Sequence, residues 1–245
     1  MTSNSIFIEV VNGCVEGINN QQRVKSLKHF FINGGKLFPS TIPILNKINF
    51  SCRNGDKIAF IGSNGSGKSS LLKVIAGIYP LKSGTVKTSG SFAAIIEMGA
   101  GFDMEKTGRD NIKMLMIYNN MLSKYTKQLE QEIIEFSELG DKIDLPMKNY
   151  SSGMMSRLAF SVSVLQDSDI LLLDEVFAAG DSHFVTKSTN FMKNKMRNVP
   201  ISILVSHQEN IIKDNCNRCI LLQNGSIIAD GNPDEILKLY NGGEY

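Results

Sequence analysis

The sequence predicts an α/β chain, a mostly parallel sheet interrupted by a helical insertion, and three observations carry that expectation. An apolar run from Lys57 to Ile61 leads straight into a glycine-rich loop and then a helix. Two more short apolar strands are expected at Ile170–Leu173 and Ile201–Val205. Between the glycine loop and these strands, the stretch from Arg109 to Gly140 switches to helical periodicity.

Ile6 to Val11 reads as an opening strand. Gly13 to Pro43 is poorly periodic, carries Gly34-Gly35 and two prolines, and is expected to be an inserted loop. Within it, Val24 to Phe31 is either a short helix, basic on one face and aromatic on the other, or a solvated loop helix packing on its own domain. Ile44 to Cys52 alternates as a strand does, and Lys68 to Ala76 is helical, stopping at Gly77. In the helical stretch, Ile112, Leu115, Met116, Tyr118 and Leu122 mark one apolar face; Leu129, Ile133, Ile134 and Phe136 mark another. A third helix is expected from Met154 to about Leu165. Near the end, Ile220–Leu222 and Ile227–Ala229 flank an Asn224-Gly225 turn. Asn232-Pro233-Asp234-Glu235 then supplies an Asn cap, a proline in the first turn and a glutamate three residues on, which starts a last helix.

Length and composition narrow the class. At 245 residues the chain suits one α/β unit with a subdomain, and no internal repeat divides it. Hydrophobic residues make up 42% and charged ones 20%, as in ordinary globular proteins. No window offers the ~18 apolar residues that span a bilayer, and the first residues lack a secretory pattern, so a cytoplasmic protein is expected. A net charge of +2 gives no argument for nucleic acid. Cys216 and Cys219 form a lone C-x-x-C with no second pair to complete a zinc site, so they are read as structural.

Gly62-Ser63-Asn64-Gly65-Ser66-Gly67-Lys68-Ser69 fits G-x-x-x-x-G-K-[ST] in the required context, strand before and helix after. Glycines let the backbone curl until successive N–H groups face phosphate oxygens, and the helix start adds its positive end. Lys68 supplies a mobile charge for the β- and γ-phosphates, the Ser69 hydroxyl is a Mg²⁺ ligand, and Ser70 completes the ATP-binding run. The apolar strand ending in Asp174-Glu175 brings two acids to the carboxyl edge of a sheet, where ligands bind in such folds. Asp174 is expected on Mg²⁺, and Glu175 as the general base that polarises the attacking water. His207, at the end of the Ile201–Val205 strand, can reach a γ-phosphate; His29 and His183 are expected on the surface.

Tyr150-Ser151-Ser152-Gly153-Met154 narrows the choice further, because it resembles the signature motif of ATP-binding cassette (ABC) proteins. The resemblance covers nearly the whole chain. It implies an ABC ATPase domain of the P-loop NTPase fold, with a RecA-like core, an antiparallel β subdomain and a helical subdomain inserted at about residues 102–165. It also implies that Ser151 and Gly153 bind the γ-phosphate of ATP held by a second copy, in a head-to-tail homodimer formed on ATP. Asp181, in Ala178-Ala179-Gly180-Asp181, resembles the acid of the loop that couples the two sites. Phe38 is placed to stack on adenine, with Phe30 and Phe31 competing for that role.

Three departures sharpen the resemblance. Ser152 stands where most members have Gly, Met154 where they have Gln, and Glu97 where a Gln precedes the helical subdomain. A carboxylate at Glu97 suits Mg²⁺ but repels phosphate, so contact through water is expected. Glu97-x-Gly99-x-Gly101-Phe102, Thr107-Gly108-Arg109-x-Asn111 and the signature together look like the ABC branch that exports bacterial cell-surface polysaccharides. That implies a lipid-linked glycan, O-antigen first among them, handled through a separate integral membrane permease at the cytoplasmic face of the inner membrane. With the sequence stopping at Tyr245, no C-terminal carbohydrate-binding domain is expected. The competing readings are the ATPase of another ABC transporter, such as a small-molecule importer, and a soluble ABC ATPase acting on DNA or ribosomes.

Overall fold

A computed structural model describes residues 5–18, 41–96, 101–118, 122–165, 167–175 and 182–243. The expected loop helix at 24–31, His29, Phe30, Phe31, Phe38, Glu97, the 178–181 segment with Asp181, and the coupling assigned to it lie outside these residues.

Two sheets organise the described chain. The small one is antiparallel, ordered β2-β1-β4, from β1 (Phe7–Ile18), β2 (Thr41–Arg53) and β4 (Ser83–Ser89). The large one runs β5-β6-β7-β3-β8-β9. Its members are β3 (Lys57–Ile61), β5 (Phe92–Ile95), β6 (Ile170–Asp174), β7 (Ile201–Val205), β8 (Arg218–Gln223) and β9 (Ser226–Gly231). The first five strands in that order pair in parallel, and β9 closes the edge antiparallel to β8.

The parallel strands are apolar on both faces because both faces are covered. Ile58, Phe60, Ile170, Leu172, Ile203 and Val205 turn one way, onto helix α1 (Lys68–Ile75) and the small sheet. Ala59, Ile61, Leu171, Leu173, Leu204 and Leu221 turn the other way. There they meet α4 (Ser152–Val164), α5 (Ser182–Asn198), α6 (Glu209–Asn215) and α7 (Pro233–Gly242). Each buried Leu, Ile or Phe in these layers contributes ~1.5–3 kcal/mol of transfer energy.

Between β5 and β6 the chain makes a helical unit with a core of its own. Its parts are α2 (Gly108–Tyr118), a 3₁₀ turn at Leu122–Lys124, α3 (Lys127–Ser137), further 3₁₀ turns to Asn149, and α4. Ile112, Met116, Ile133, Ile143, Met147, Tyr150, Leu158 and Val162 fill that core. At the edge of that core the half-exposed Arg109 guanidinium donates to buried Glu130 at 2.8 Å and to exposed Asp144 at 2.7 Å. Tyr125 also donates to Glu130.

Several sequence expectations need correction. Residues 13–18 and 41–43 are strand, not loop: β1 and β2 pair from Phe7↔Arg53 to Ile18↔Thr41. Register shifts between Val10 and Glu16, with Asn12 and Lys47 at positive φ, break the period-2 pattern that would have revealed them. Leu122 is exposed, outside the apolar face assigned to it, because α2 ends at Tyr118 and a new turn starts. The strand limits at Lys57–Ile61 and Ile201–Val205 stand as expected. So does the last helix start, where the Asn232 side chain accepts from Asp234 N–H at 2.9 Å and Pro233 opens the turn.

Candidate functional site

The register of the large sheet assembles the site. Phe60 pairs with Val205, and Val205 with Asp174, so the carboxyl ends of β3, β7 and β6 lie level on one edge. Whatever follows those three residues is brought side by side: Gly62 to Ser69 after β3, Ser206-His207 after β7, and Glu175 after β6. This is the edge where open parallel sheets bind ligands.

The loop after β3 curls in steps that its residues force. Gly62 has φ 141°, and a Cβ there would overlap the Leu222 carbonyl oxygen and stand 2.7 Å from Ser66 Oγ. Gly65 at the tip has φ 81°. Ser66 N–H donates to Ser63 O at 3.1 Å, and the loop passes into α1, whose first turn carries buried Lys68 and half-buried Ser69 and Ser70. Ser63, Asn64 and Gly65 are exposed at the mouth.

Lys68 Nζ donates to the Gly62 and Ser63 carbonyls at 2.8 and 2.9 Å, bent back over the loop. Burial lowers its pKa, and the charges of Glu175 and Asp174 oppose that shift. Ser66 Oγ is buried and has no hydrogen-bond partner among the described residues. An orphan hydroxyl beneath a curl of N–H groups is chemistry that an anion satisfies.

Asp174 sits where burial raises its carboxyl above the ordinary range, while a hydrogen bond from the Ser69 hydroxyl pulls the other way. A carboxylate and a hydroxyl, both hard oxygen ligands, fit Mg²⁺, which takes one or two protein ligands and completes its shell with water and phosphate. Among the described residues no group of three or more His, Cys, Asp or Glu is placed to hold a metal ion. Glu175 is held in a left-handed conformation, φ 51°, its N–H donating to Val205 O at 3.1 Å. Its Oε1 lies 3.2 Å from His207 Nε2, and both side chains open to solvent at the sheet edge. Strain of this kind at a non-glycine residue collects at functional sites.

Ser151 and Gly153 are elsewhere. They begin α4, which packs on α3, α2 and β5, whereas α1 packs on the two sheets. Ser151 caps the helix, its Oγ accepting from Met154 N–H at 3.2 Å. That leaves its own O–H to donate outward. A Cβ on Gly153 would meet only Ser151 Oγ, at 3.9 Å, among the described residues, so this chain's packing does not demand glycine there. His183 is exposed, as expected. Cys216 and Cys219 are buried, with burial pushing both thiols up to about 12, consistent with a structural reading.

Sequence reasoning missed one support of the loop. The Asn224-Gly225 turn between β8 and β9 touches it: Gly225 N–H donates to Ser66 O at 3.0 Å, and Asn46 N–H to Gly225 O at 2.8 Å. The turn itself was legible as Asn-Gly; its place against the phosphate loop depends on β8 lying beside β3.

The chain resembles known proteins in three ways. The family model described as ABC transporter matches residues 45–178. The chain is 41% identical over 200 residues to the O-antigen export system ATP-binding protein RfbE of Yersinia enterocolitica, covering 81% of this chain and 83% of that protein. It is 39% identical over 197 residues to the O-antigen export system ATP-binding protein RfbB of Klebsiella pneumoniae, 80% of each. It is 37% identical over 200 residues to the ATP-binding protein BexA of Haemophilus influenzae, 81% of this chain and 89% of that one. In fold it is similar, with a TM-score of 0.70 and 16% identity, to a dimeric ATP-binding cassette in a post-hydrolysis state with ADP and Pi, over 92% of this chain and 98% of that one. A glycine loop, an Asp-Glu pair and a histidine on one sheet edge, in a chain matched by the family model over more than half its length, establish that the chain belongs to the ABC transporter family.

Proposed function

We propose that this chain is the ATP-hydrolysing subunit of an exporter that carries a lipid-linked cell-surface polysaccharide, O-antigen foremost, across the inner membrane. The observation that carries the ATPase reading is the level row Phe60–Val205–Asp174, which gathers Lys68, Ser69, Asp174, Glu175 and His207 at one edge. The names of the relatives, O-antigen export ATP-binding proteins at 39–41% identity, support the cargo.

ATP binds with its phosphates in the curl from Gly62 to Ser69. Lys68 leaves the two loop carbonyls for the β- and γ-phosphates, and Ser70 supports the same run. Phe38 stacks on adenine. Ser69 and Asp174 would hold Mg²⁺, with Glu97 a further candidate ligand through water, and the bound ion would offset phosphate charge. Glu175 takes a proton from water as the oxygen attacks the γ-phosphorus and ADP departs. His207, 3.2 Å from Glu175, orients that carboxylate and the phosphate.

Ser151 and Gly153 serve the ATP of a second copy, at the start of α4, where helix polarity favours an anion. Asp181 couples the two sites. The active form is therefore a head-to-tail homodimer made on ATP. A separate integral membrane permease passes the glycan and holds the dimer at the cytoplasmic face, a reading supported by the relatives' names as ATP-binding proteins of export systems.

Two measurements test this. The subunit should copurify with one polytopic membrane protein, and a strain lacking it should accumulate lipid-linked glycan that wild-type protein clears and Lys68→Ala does not. Accumulation of no such glycan would refute the cargo while leaving the ATPase reading to stand or fall on hydrolysis.

A further inference from the structure

We infer that Tyr150 is the positioning residue of the shared nucleotide site, held by Gly108 and Lys142 so that Ser151 presents its hydroxyl at a fixed place. The inference deepens the proposed role of Ser151 and rests on it.

Tyr150 immediately precedes Ser151 and is 7% exposed, its ring sunk in the core of the helical unit. Its phenol donates to the Lys142 carbonyl at 2.8 Å and lies against the backbone of Gly108. A Cβ at Gly108 would overlap that phenolic oxygen and come 2.9 Å from Ile143 Cδ1 and 3.0 Å from the Ile143 carbonyl. Gly108 is therefore glycine because the tyrosine needs the space. The chain on either side is tied as well. Met147 N–H donates to Lys106 O at 2.8 Å, Lys148 N–H to Met104 O at 2.9 Å, and Thr107 and Pro146 form an antiparallel bridge. Asn111, fully buried, locks the 103–107 segment: its Oδ1 accepts from Asp103 N–H at 2.8 Å, and its Nδ2 donates to the Asp103 and Thr107 carbonyls at 3.0 and 2.8 Å.

These contacts give the Thr107-Gly108-Arg109-Asp110-Asn111 run a purpose that nucleotide chemistry in its own site does not supply. The 103–111 and 145–150 segments are held to each other by backbone hydrogen bonds and by one buried amide, and the tie ends one residue before the exposed Ser151. Ser151 itself is held on its other side by the helix start, its Oγ accepting from Met154 N–H and its carbonyl from Met155 N–H at 3.0 Å. A hydroxyl that donates to a phosphate on another subunit must already be in place, since a shift of about 1 Å costs up to ~100-fold.

The test uses the full chain carrying Glu175→Gln, so that ATP-driven dimers persist. Two quantities are read: affinity for a fluorescent ATP analogue at protein concentrations too low to dimerise, and the ATP concentration at half-dimerisation by sedimentation. Gly108→Ala should raise the second about 10- to 100-fold and leave the first unchanged. Adding Tyr150→Phe, which removes the oxygen that the new methyl strikes, should restore part of the loss. Tyr150→Phe alone loses the phenol's bonds to Lys142 O and the Gly108 backbone but adds no clash, and should give a smaller rise, which keeps the test open should Gly108→Ala not fold. Parent-like dimerisation in both single variants overturns the inference, as does an equal loss of affinity in the undimerised chain. Ser151→Ala separates the two levels: if it dimerises as the parent does, the shared-site reading fails; if it is impaired while Gly108→Ala is not, only the role of Tyr150 fails.

Discussion

Gly62 and Gly65 share a motif but face different surroundings, and the contrast predicts unequal costs for the same substitution. At Gly65, φ 81°, no described atom stands within 4 Å of an added Cβ, so Gly65→Ala carries only the backbone term, about 1–2 kcal/mol. At Gly62, φ 141°, the backbone term is about 1–3 kcal/mol. There the methyl also overlaps the Leu222 carbonyl oxygen, part of the β8 backbone that pairs with β3, and overpacking of that kind adds about 1–3 kcal/mol. Gly62→Ala should thus cost about 2–6 kcal/mol out of a total of ~5–15 kcal/mol. With a urea slope of about 3 kcal/mol/M, its unfolding midpoint falls by roughly 0.7–2 M. Urea titration of the nucleotide-free protein reads the difference directly, and fluorescent-nucleotide binding reads whether the cradle survives. Gly62→Ala should be both less stable and weaker for nucleotide than Gly65→Ala. Equal midpoints would refute the argument, because they would mean that the Leu222 carbonyl does not confine the loop.

Three further outcomes follow from the same edge of the sheet and its opposite end. Glu175→Gln should lower turnover by about 10²–10⁴-fold while ATP-dependent dimers accumulate in sedimentation; residual turnover near the parent rate would exclude it as base. Asp174→Asn should abolish the gain in nucleotide affinity on adding Mg²⁺ without lowering the melting temperature of the nucleotide-free protein, since burial already disfavours the carboxylate; an unchanged Mg²⁺ response in equilibrium binding argues against it as a ligand. At the other end of β6, the Asp169 carboxylate accepts from Ser91 N–H and Oγ, 2.8 Å each, which holds its pKa below the usual carboxylate range. The stability from a depressed carboxyl is present above its unfolded pKa of ~3.9 and lost as pH falls through the folded value. Asp169→Asn should therefore be destabilised at pH 7 in urea titrations, with the gap closing toward acid; a gap independent of pH contradicts the assignment.

What the sequence disclosed was local. The loop from Gly62 to Ser69 declares itself because strand, glycines and helix are contiguous, and β3 and β7 were legible because strands buried on both faces become unbroken apolar runs. What it concealed is non-local or irregular. The β1–β2 ladder is interrupted by bulges, so its alternation fails where pairing continues. β4 pairs along one side only and is largely exposed, leaving almost no apolar signal in Ser83–Ser89. α5 buries Phe184, Ser188, Met192 and Met196 at four-residue spacing, but a serine in that seam hides the stripe. The pairing of Glu175 with His207 depends on β6 lying beside β7, which neither segment reveals by itself.

In the proposed dimer, helix α4 is the element that ties the shared nucleotide site to both cores of the fold. Leu158 and Val162 pack into the core of the helical unit, while Phe160 and Val164, on the opposite side, pack into the core beneath the large sheet. One helix of 13 residues, about 20 Å long, is thus a member of both cores. Its start carries Ser151, the residue proposed to meet the second subunit's nucleotide, and its end is rooted in the core beneath the sheet whose strand β6 ends in Asp174. Between them, the Ser161 and Ser163 hydroxyls donate back to the Arg157 and Ala159 carbonyls at 2.6 and 2.8 Å, a pattern that tends to bend helices. Tilting the helical unit relative to the sheet would strain this helix, because it packs into the cores of both. In the proposed dimer, a tilt that shifts Ser151 relative to the γ-phosphate would therefore load the Phe160 and Val164 packing beneath the sheet.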